Sequence, residues 1–383
     1  MTAVDRPIRV LHLASFVGNI GDLANHAGAR RLLAKHVPFR LEFTELEIRE
    51  FYWKQRTFDA AFVDYANSFD LLIIGGGNYF ELWVDHSMTG TSIDISPDLM
   101  QRLTVPTLFH SLGVDTGQGY TERSAGRFRA FIETVLDRDN MFVSVRNDGS
   151  TRALNEVLGT TMAQHIPTMP DGGFFAAPPR SATSGRSPCI GINIAGDMLD
   201  KRFDGGLNVD GFLEELATAC CGLLDQQPDM RIVLMPHIWR DVSLIAQLLP
   251  RFADSYLRRR VAVGRLEPTQ NGLDEFLANY QAFDLVLGMR FHANVCPIGM
   301  GVPTRGLLNY PQVQRLYEEL DLPERLVDVR DHGFGVRLQD AASSDLAALP
   351  ERRAESLQSV GLIEQQAQRT LSSISAWLQR ALN

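Results

Sequence analysis

DLVLGMRFHANVCPIGMGVPTRGLLNY, residues 284–310, decides the fold. The run Asp284–Leu287 is apolar after its first residue and stops at Gly288. Phe291–Met300 then carries mostly small and apolar side chains over a helical length, and a short strand, Thr304–Leu307, is expected after it. Short runs apolar on both faces, separated by helices, are strands of a parallel sheet covered on both sides. The same alternation extends upstream. Strand Cys189–Ile194, helix Val209–Leu224, strand Arg231–Met235, helix Val242–Leu249, strand Arg260–Val263 and helix Leu273–Tyr280 precede the quoted stretch.

The first half repeats the scheme. Strands are expected at Ile8–Phe16, Leu41–Leu46, Leu71–Ile74, Thr107–Ser111 and Met141–Val145, with helices at Asp22–His36, Glu122–Leu136 and Gly149–Leu158. Between the halves, Ala176–Pro188 (AAPPRSATSGRSP) lacks periodicity and is rich in Pro, Ser and Gly, which marks a linker. A terminal helix, Arg352–Leu382, carries an apolar stripe through Leu357, Val360, Ile363, Ala367, Leu371, Ile374 and Leu378, with Trp377 beside it. Its charges are poorly patterned for a coiled coil, so it reads as a packed helix. The expected organisation is α/β: a doubly wound Rossmann-like domain over residues 1–177 and a linker at 178–188. A second such domain follows over 189–348, then a C-terminal helix over 349–383. Two such domains would face a cleft, with ligands outside the strand C-terminal ends.

The chain has 383 residues, 45% hydrophobic and 22% charged, with a formal net charge of −9. That length exceeds one ordinary core, and the composition is that of a globular protein rather than a disordered one. The negative balance and scattered basic residues argue against a nucleic-acid partner. An anionic substrate would be held by a local pocket. Cys189, Cys220, Cys221 and Cys296 show no metal-ligand spacing, so no metal is expected and the thiols read as buried and reduced. Neither a signal peptide nor an apolar run of about 18 residues is present, and the expected location is the cytoplasm.

Residues that follow strands carry the chemistry. Val17-Gly18-Asn19-Ile20-Gly21-Asp22 follows the first strand. Gly18 and Gly21 permit a tight turn and close backbone approach, and Asp22 can cap the next helix. This is not GxGxxG, and no acidic residue closes the second strand, so no dinucleotide is assigned. Gly75-Gly76-Gly77-Asn78 follows the third strand, where consecutive glycines suggest a ligand-facing backbone. His110 and Arg146 end two further strands. Arg146 can fork onto a carboxylate or phosphate, or pair with Asp148 or Asp171. In the second half, Asn193 and His237 sit just past strands. Arg290 and His292 open the helix after Gly288, where a helix start favours anions and a neutral imidazole. A cation beside a titratable base suits transfer from a phosphorylated donor.

Gly18–Asp22, the Gly75–Gly77 turn, Val143-Ser144-Val145-Arg146 with Ser150, Pro170-Asp171 and the Asp284–Tyr310 block occur in that order. This ordered set resembles the polysaccharide pyruvyl transferase family from the first strand to about Leu322. The resemblance implies a two-domain fold of the GT-B type. It also implies transfer of a pyruvyl group from phosphoenolpyruvate to a sugar, usually as a ketal. No cofactor is implied, phosphoenolpyruvate being a co-substrate. It further implies His292 as general acid/base and Arg290 as the anion-binding cation. Expected substrate contacts are Asn19, Gly21, Asp22, Gly76, Gly77, Asn78, His110, Arg146, Asn193 and His237. Two positions depart from the family: Asn147 replaces a frequent acid, and Asn78 replaces a frequent fourth glycine. A lipid-linked acceptor would bring peripheral membrane contact, although no basic amphipathic helix advertises it. The competing readings are a glycosyltransferase using a nucleotide sugar and a non-catalytic sugar-binding relative.

Overall fold

The structure is a computed structural model that describes residues 6–178, 187–203 and 206–382. Most of the expected linker at 178–188 lies outside the described residues. The strands in chain order are β1 (Ile8–Ala14), β2 (Leu41–Glu47), β3 (Leu71–Gly75), β4 (Phe80–Glu81), β5 (Thr107–Leu112), β6 (Val114–Asp115) and β7 (Met141–Val145). They continue with β8 (Cys189–Asn193), β9 (Arg231–Leu234), β10 (Val261–Val263), β11 (Leu285–Gly288), β12 (Thr304–Leu308) and β13 (Leu326–Asp328). By contacts the chain divides into two compact units. One comprises the chain up to Phe16, Ala29–Gly172 and Ile363 onward; the other comprises Val17–Gly28 and Gly173–Leu362.

The first unit holds a five-stranded sheet in the order β2-β1-β3-β5-β7, every pair parallel. β3 and β5 are buried along their whole length, as strands covered on both faces must be. Phe80, Phe109, Phe128 and Phe131 pack edge-on or tilted in the core of this unit. The last helix begins at Leu349 and ends at Ala381. From residue 363 onward it buries Ile363, Ala367, Leu371, Ile374 and Leu378. Trp377 Nε1 donates to the Asp139 carbonyl at 2.9 Å, which pins the helix to the first unit. Leu357, counted in the expected stripe, is instead 61% exposed.

The second unit holds a six-stranded sheet in the order β10-β9-β8-β11-β12-β13, again parallel throughout. Its core gathers Ile190, Ile192, Leu285 and Leu287 from the strands with Phe212, Leu216, Leu223, Phe334 and Leu338 from covering helices. Among the described residues no helix is long and apolar enough to cross a membrane.

Two sequence expectations need correction. The first helix begins at Ile20, not Asp22, because Asn19 Oδ1 accepts from the Gly21 N–H at 3.0 Å and takes the capping position. The second strand runs one residue beyond Leu46, so an acidic residue, Glu47, does close it. Its carboxylate accepts from the backbone N–H groups of Phe16 (2.6 Å) and Arg49 (2.9 Å), a structural use that ties the end of β2 to the turn after β1.

Candidate active site

A doubly wound sheet binds ligands where the strand order reverses. In the second unit that point lies between β8 and β11, where Asn193 and Gly288 are register partners. Asn193 was expected to contact substrate. Its side chain is instead engaged on both sides by backbone: Oδ1 accepts from the Arg290 N–H (2.9 Å) and Nδ2 donates to the Met235 carbonyl (2.8 Å). It thereby ties the ends of β8, β9 and β11 together. Gly288 is needed because a Cβ there would lie 2.7 Å from the Ala293 carbonyl oxygen. That approach brings the helix Phe291–Gly299 tightly against its strand, despite Pro297 inside it. Asn294 then locks the turn by donating to the carbonyls of Gly288 (3.0 Å) and Arg290 (2.8 Å).

Arg290 is the extended N-cap residue of that helix, and His292 lies in its first turn, 8% exposed. The Asp22 carboxylate stands 4.0 Å from His292 Nδ1, an electrostatic pair beyond hydrogen-bond length. With Nδ1 on the Asp22 side, Nε2 lies on the opposite edge of the ring. Gly21 makes this possible. A Cβ at Gly21 would fall 2.7 Å from both Cβ and Nδ1 of His292. The Ile20 N–H donates to the His237 carbonyl at 3.2 Å, anchoring the start of the same helix. Asn19, Gly21 and Asp22 thus meet His292 within one unit, Asn19 through its cap and the other two directly.

Arg290 does not stand as an available anion-binding cation. Its Nε donates to Asp241 Oδ2 at 2.8 Å, and its Nη2 reaches Asp241 Oδ1 at 2.5 Å and Asp197 Oδ1 at 2.8 Å. Burial opposes the charge, but the Asp241 and Asp197 carboxylates more than offset it and hold the guanidinium above its usual range. Asp241 also accepts from the backbone N–H groups of Gly196 (2.9 Å), His237 (2.9 Å) and Ile238 (3.2 Å). This carboxylate is the hub of the site. Gly196 must be glycine for the loop to reach it, since a Cβ there would lie 2.0 Å from the Arg240 carbonyl oxygen.

His237 was expected among the substrate contacts. It is 1% exposed, with Nε2 at 2.7 Å from the Tyr280 hydroxyl and its ring against Phe276 and Tyr280. Burial, reinforced by the charges of Arg290 and His292, pushes its pKa well below the usual range. It is a neutral, packed histidine.

The first unit collects Gly76, Gly77, Asn78, His110 and Arg146. Its glycine run is explained by packing. A Cβ on Gly75 would lie 2.2 Å from the His110 carbonyl oxygen, one on Gly77 would meet the Tyr79 ring at 2.3 Å, and Gly76 has φ +81°. His110 is buried and accepts from the Gly76 N–H through its carbonyl at 3.0 Å. Asn78 Nδ2 donates to Asp115 at 2.9 Å. Arg146 is 3% exposed and donates to Asp148 (2.9 and 2.8 Å) and Asp171 (3.2 Å). Of the two readings left open for it, a fork onto a substrate anion or pairing with Asp148 or Asp171, the structure shows the pairing, and with both carboxylates. Asn147, standing where an acid is frequent, accepts from the Asp171 N–H at 3.0 Å and so steadies one of those carboxylates.

Asp241, Asp197 and Tyr280 were missed from the sequence. A signal for Asp241 existed: an acid in the first turn of the helix after Pro236-His237. Asp197 and Tyr280 have no local signal.

Comparison with known proteins agrees with the fold. Among solved structures, a Listeria monocytogenes protein assigned as a UDP-N-acetylglucosamine 2-epimerase aligns with a TM-score of 0.58 and 12% identity, over 98% of both chains. The S. aureus MnaA–UDP co-structure aligns with a TM-score of 0.54 and 9% identity over 91% of both chains. At such identities the likeness is one of fold, which is GT-B-like. A search of curated proteins returned no match. Residues 19–310, which include strands of both sheets and the Arg290–His292 turn, match the family described as polysaccharide pyruvyl transferase, and the chain belongs to that family.

Proposed function

We propose that the protein transfers the pyruvyl group of phosphoenolpyruvate onto two hydroxyls of a sugar or glycan precursor, closing a ketal, with His292 as general acid/base and Asp22 as its orienting carboxylate. Protonation of C3 makes C2 electrophilic. One sugar hydroxyl adds at C2, the C2–O bond to phosphate breaks, and a second hydroxyl closes the ketal. The two hydroxyl protons end on C3 and on the departing phosphate, so the scheme needs no external oxidant or reductant. His292 is the group placed to relay them, because a base oriented by a carboxylate at a helix start combines a held ring with a polarised proton path.

The observation that carries this reading is the Asp22–His292 pair at the strand-order reversal of the second sheet, in a chain of this family. The geometry changes the expected part of Arg290. Engaged by two carboxylates, it positions the turn that carries His292 instead of meeting phosphate. Incubation with phosphoenolpyruvate and candidate sugars tests the proposal. Phosphate release that requires a sugar supports it; release of nucleoside diphosphate from a nucleotide sugar refutes it. His292→Ala is expected to lower turnover by about 10²–10⁴-fold with the fold retained.

A further inference from the structure

The end of β12 holds a second group of buried polar side chains. Asn309, 3% exposed, follows the strand, and Arg202, 5% exposed, ends the short helix Leu199–Arg202. Arg202 Nη1 donates to Asn309 Oδ1 at 3.1 Å. A guanidinium can only donate, so the amide oxygen must face it and the orientation of Asn309 is settled. Its Nδ2 is then a buried donor with no hydrogen-bond partner among the described residues. Such groups are rare in folded proteins and mark a place for an acceptor.

Arg202 is itself under-neutralised. Its Nη2 lies 3.5 Å from Asp197 Oδ1, an oxygen held more closely, at 2.8 Å, by Arg290. One carboxylate therefore serves two guanidinia, while Asp241 is spent on Arg290 and on backbone N–H groups. Burial and the neighbouring Arg290 charge lower the pKa of Arg202 despite Asp197. The Tyr310 ring, with its centroid 5.3 Å from the guanidinium carbon, braces Arg202 from one side. The Asp197 side chain, 20% exposed, forms the part of the cluster open to solvent.

We propose that Arg202 and Asn309 form an oxyanion subsite, in which the guanidinium and the Asn309 amide donate to phosphoryl or carboxylate oxygens of the donor substrate. Naming that donor as phosphoenolpyruvate rests on the function proposed above; the chemical class, an oxyanion, rests on the cluster alone. A neutral sugar hydroxyl would leave Arg202 short of negative charge, and a metal cation would be repelled.

The test is calorimetric titration of the full chain with phosphoenolpyruvate, inorganic phosphate and pyruvate, in the parent and in Asn309→Asp. The substitution keeps size and the bond from Arg202 but replaces the donor with a negative oxygen. Loss of a charge-assisted contact of this kind is expected to weaken phosphoenolpyruvate binding and raise its KM by about ten- to a hundredfold. The melting temperature and the acceptor KM should be retained. Competition by phosphate assigns the phosphoryl end to the subsite, and competition by pyruvate assigns the carboxylate end. Unchanged affinity in folded Asn309→Asp overturns the proposal. Should that variant not fold, Asn309→Ser, which shortens the donor out of reach, is held to the same criterion. If the parent binds UDP and not phosphoenolpyruvate, the functional reading fails, and the subsite stands or falls on whether Asn309→Asp weakens UDP binding.

Discussion

Gly21→Ala separates the two things a glycine can do in a helix. Replacing glycine by alanine within a helix stabilises it by up to about 1 kcal/mol, and less in the first turn where Gly21 lies. Set against this is His292. The new Cβ would fall 2.7 Å from His292 Cβ and Nδ1 and 2.8 Å from Cγ, against 3.4 Å where ordinary contact begins. Cβ of His292 is fixed to its helix, so the ring cannot swing away from that contact alone; the helix Phe291–Gly299 or the turn at Gly21 must move by several tenths of an ångström. Overpacking of this kind costs about 1–3 kcal/mol, which leaves the variant between nearly unchanged and roughly 3 kcal/mol less stable. Activity should respond far more, by about 10²-fold, because proton transfer requires His292 within a small distance of its target. Thermal melting and phosphate release from phosphoenolpyruvate with acceptor measure the two effects. A folded Gly21→Ala variant with the turnover of the parent would refute the placement of His292 in the chemistry.

Other outcomes follow from the buried charges. Asp241→Asn turns an NH₂ toward donors that now meet a carboxylate oxygen, and is expected to destabilise the protein by about 3–5 kcal/mol in denaturant titration. Turnover should fall in whatever fraction folds. His237 has a folded pKa well below 6.5, its unfolded value. On acidification below about pH 6.5 the unfolded chain binds a proton that the folded chain does not, so stability falls by up to about 1.4 kcal/mol per pH unit. Denaturant midpoints across that window, compared with His237→Gln, check it; an equal slope in the variant removes His237 as the cause. Arg146→Met leaves Asp148 and Asp171 buried together without their cation. The loss, again about 3–5 kcal/mol, should be largest near neutral pH and shrink in acid as one carboxyl takes a proton. A loss independent of pH would show that the cluster is not held by charge.

The architecture was legible because apolar periodicity reports burial directly. β3, β8 and β11 are runs largely apolar on both faces, and all lie inside parallel sheets. Shorter elements were not legible. β4 and β6 span two residues each, too few to show any period, and β13 spans three at a sheet edge. The end of β2 was misplaced by one residue because Glu47 looks like a turn residue until its backbone partners, Phe16 and Arg49, are seen. The site divides in the same way. His292 follows a strand, a glycine and a helix start, all local features, whereas its carboxylate partner Asp22 lies at the far end of the fold in sequence.

Arg290 shows most clearly why charge in a sequence is not yet function. Standing alone beside His292 it has the chemistry of an anion clamp. Its actual partners, Asp241 and Asp197, are 49 and 93 residues away, and no local pattern pairs either of them with it. A buried guanidinium without carboxylates would carry a large desolvation penalty; with two it is stable but no longer disposed to meet an incoming anion. What it gains is fixity. Asp241, held by three backbone N–H groups, fixes Arg290, and Arg290, through its own N–H on Asn193, fixes the turn from which His292 projects. The cation left short of charge by this arrangement is Arg202, because Asp197 leans toward Arg290. A site that commits one arginine to geometry leaves the other to meet the anion, so Arg290→Lys and Asn309→Asp should fail differently. The first should lower kcat through a displaced His292. The second should raise the KM for the donor alone, and a shared loss of donor affinity with kcat untouched in both would contradict this division.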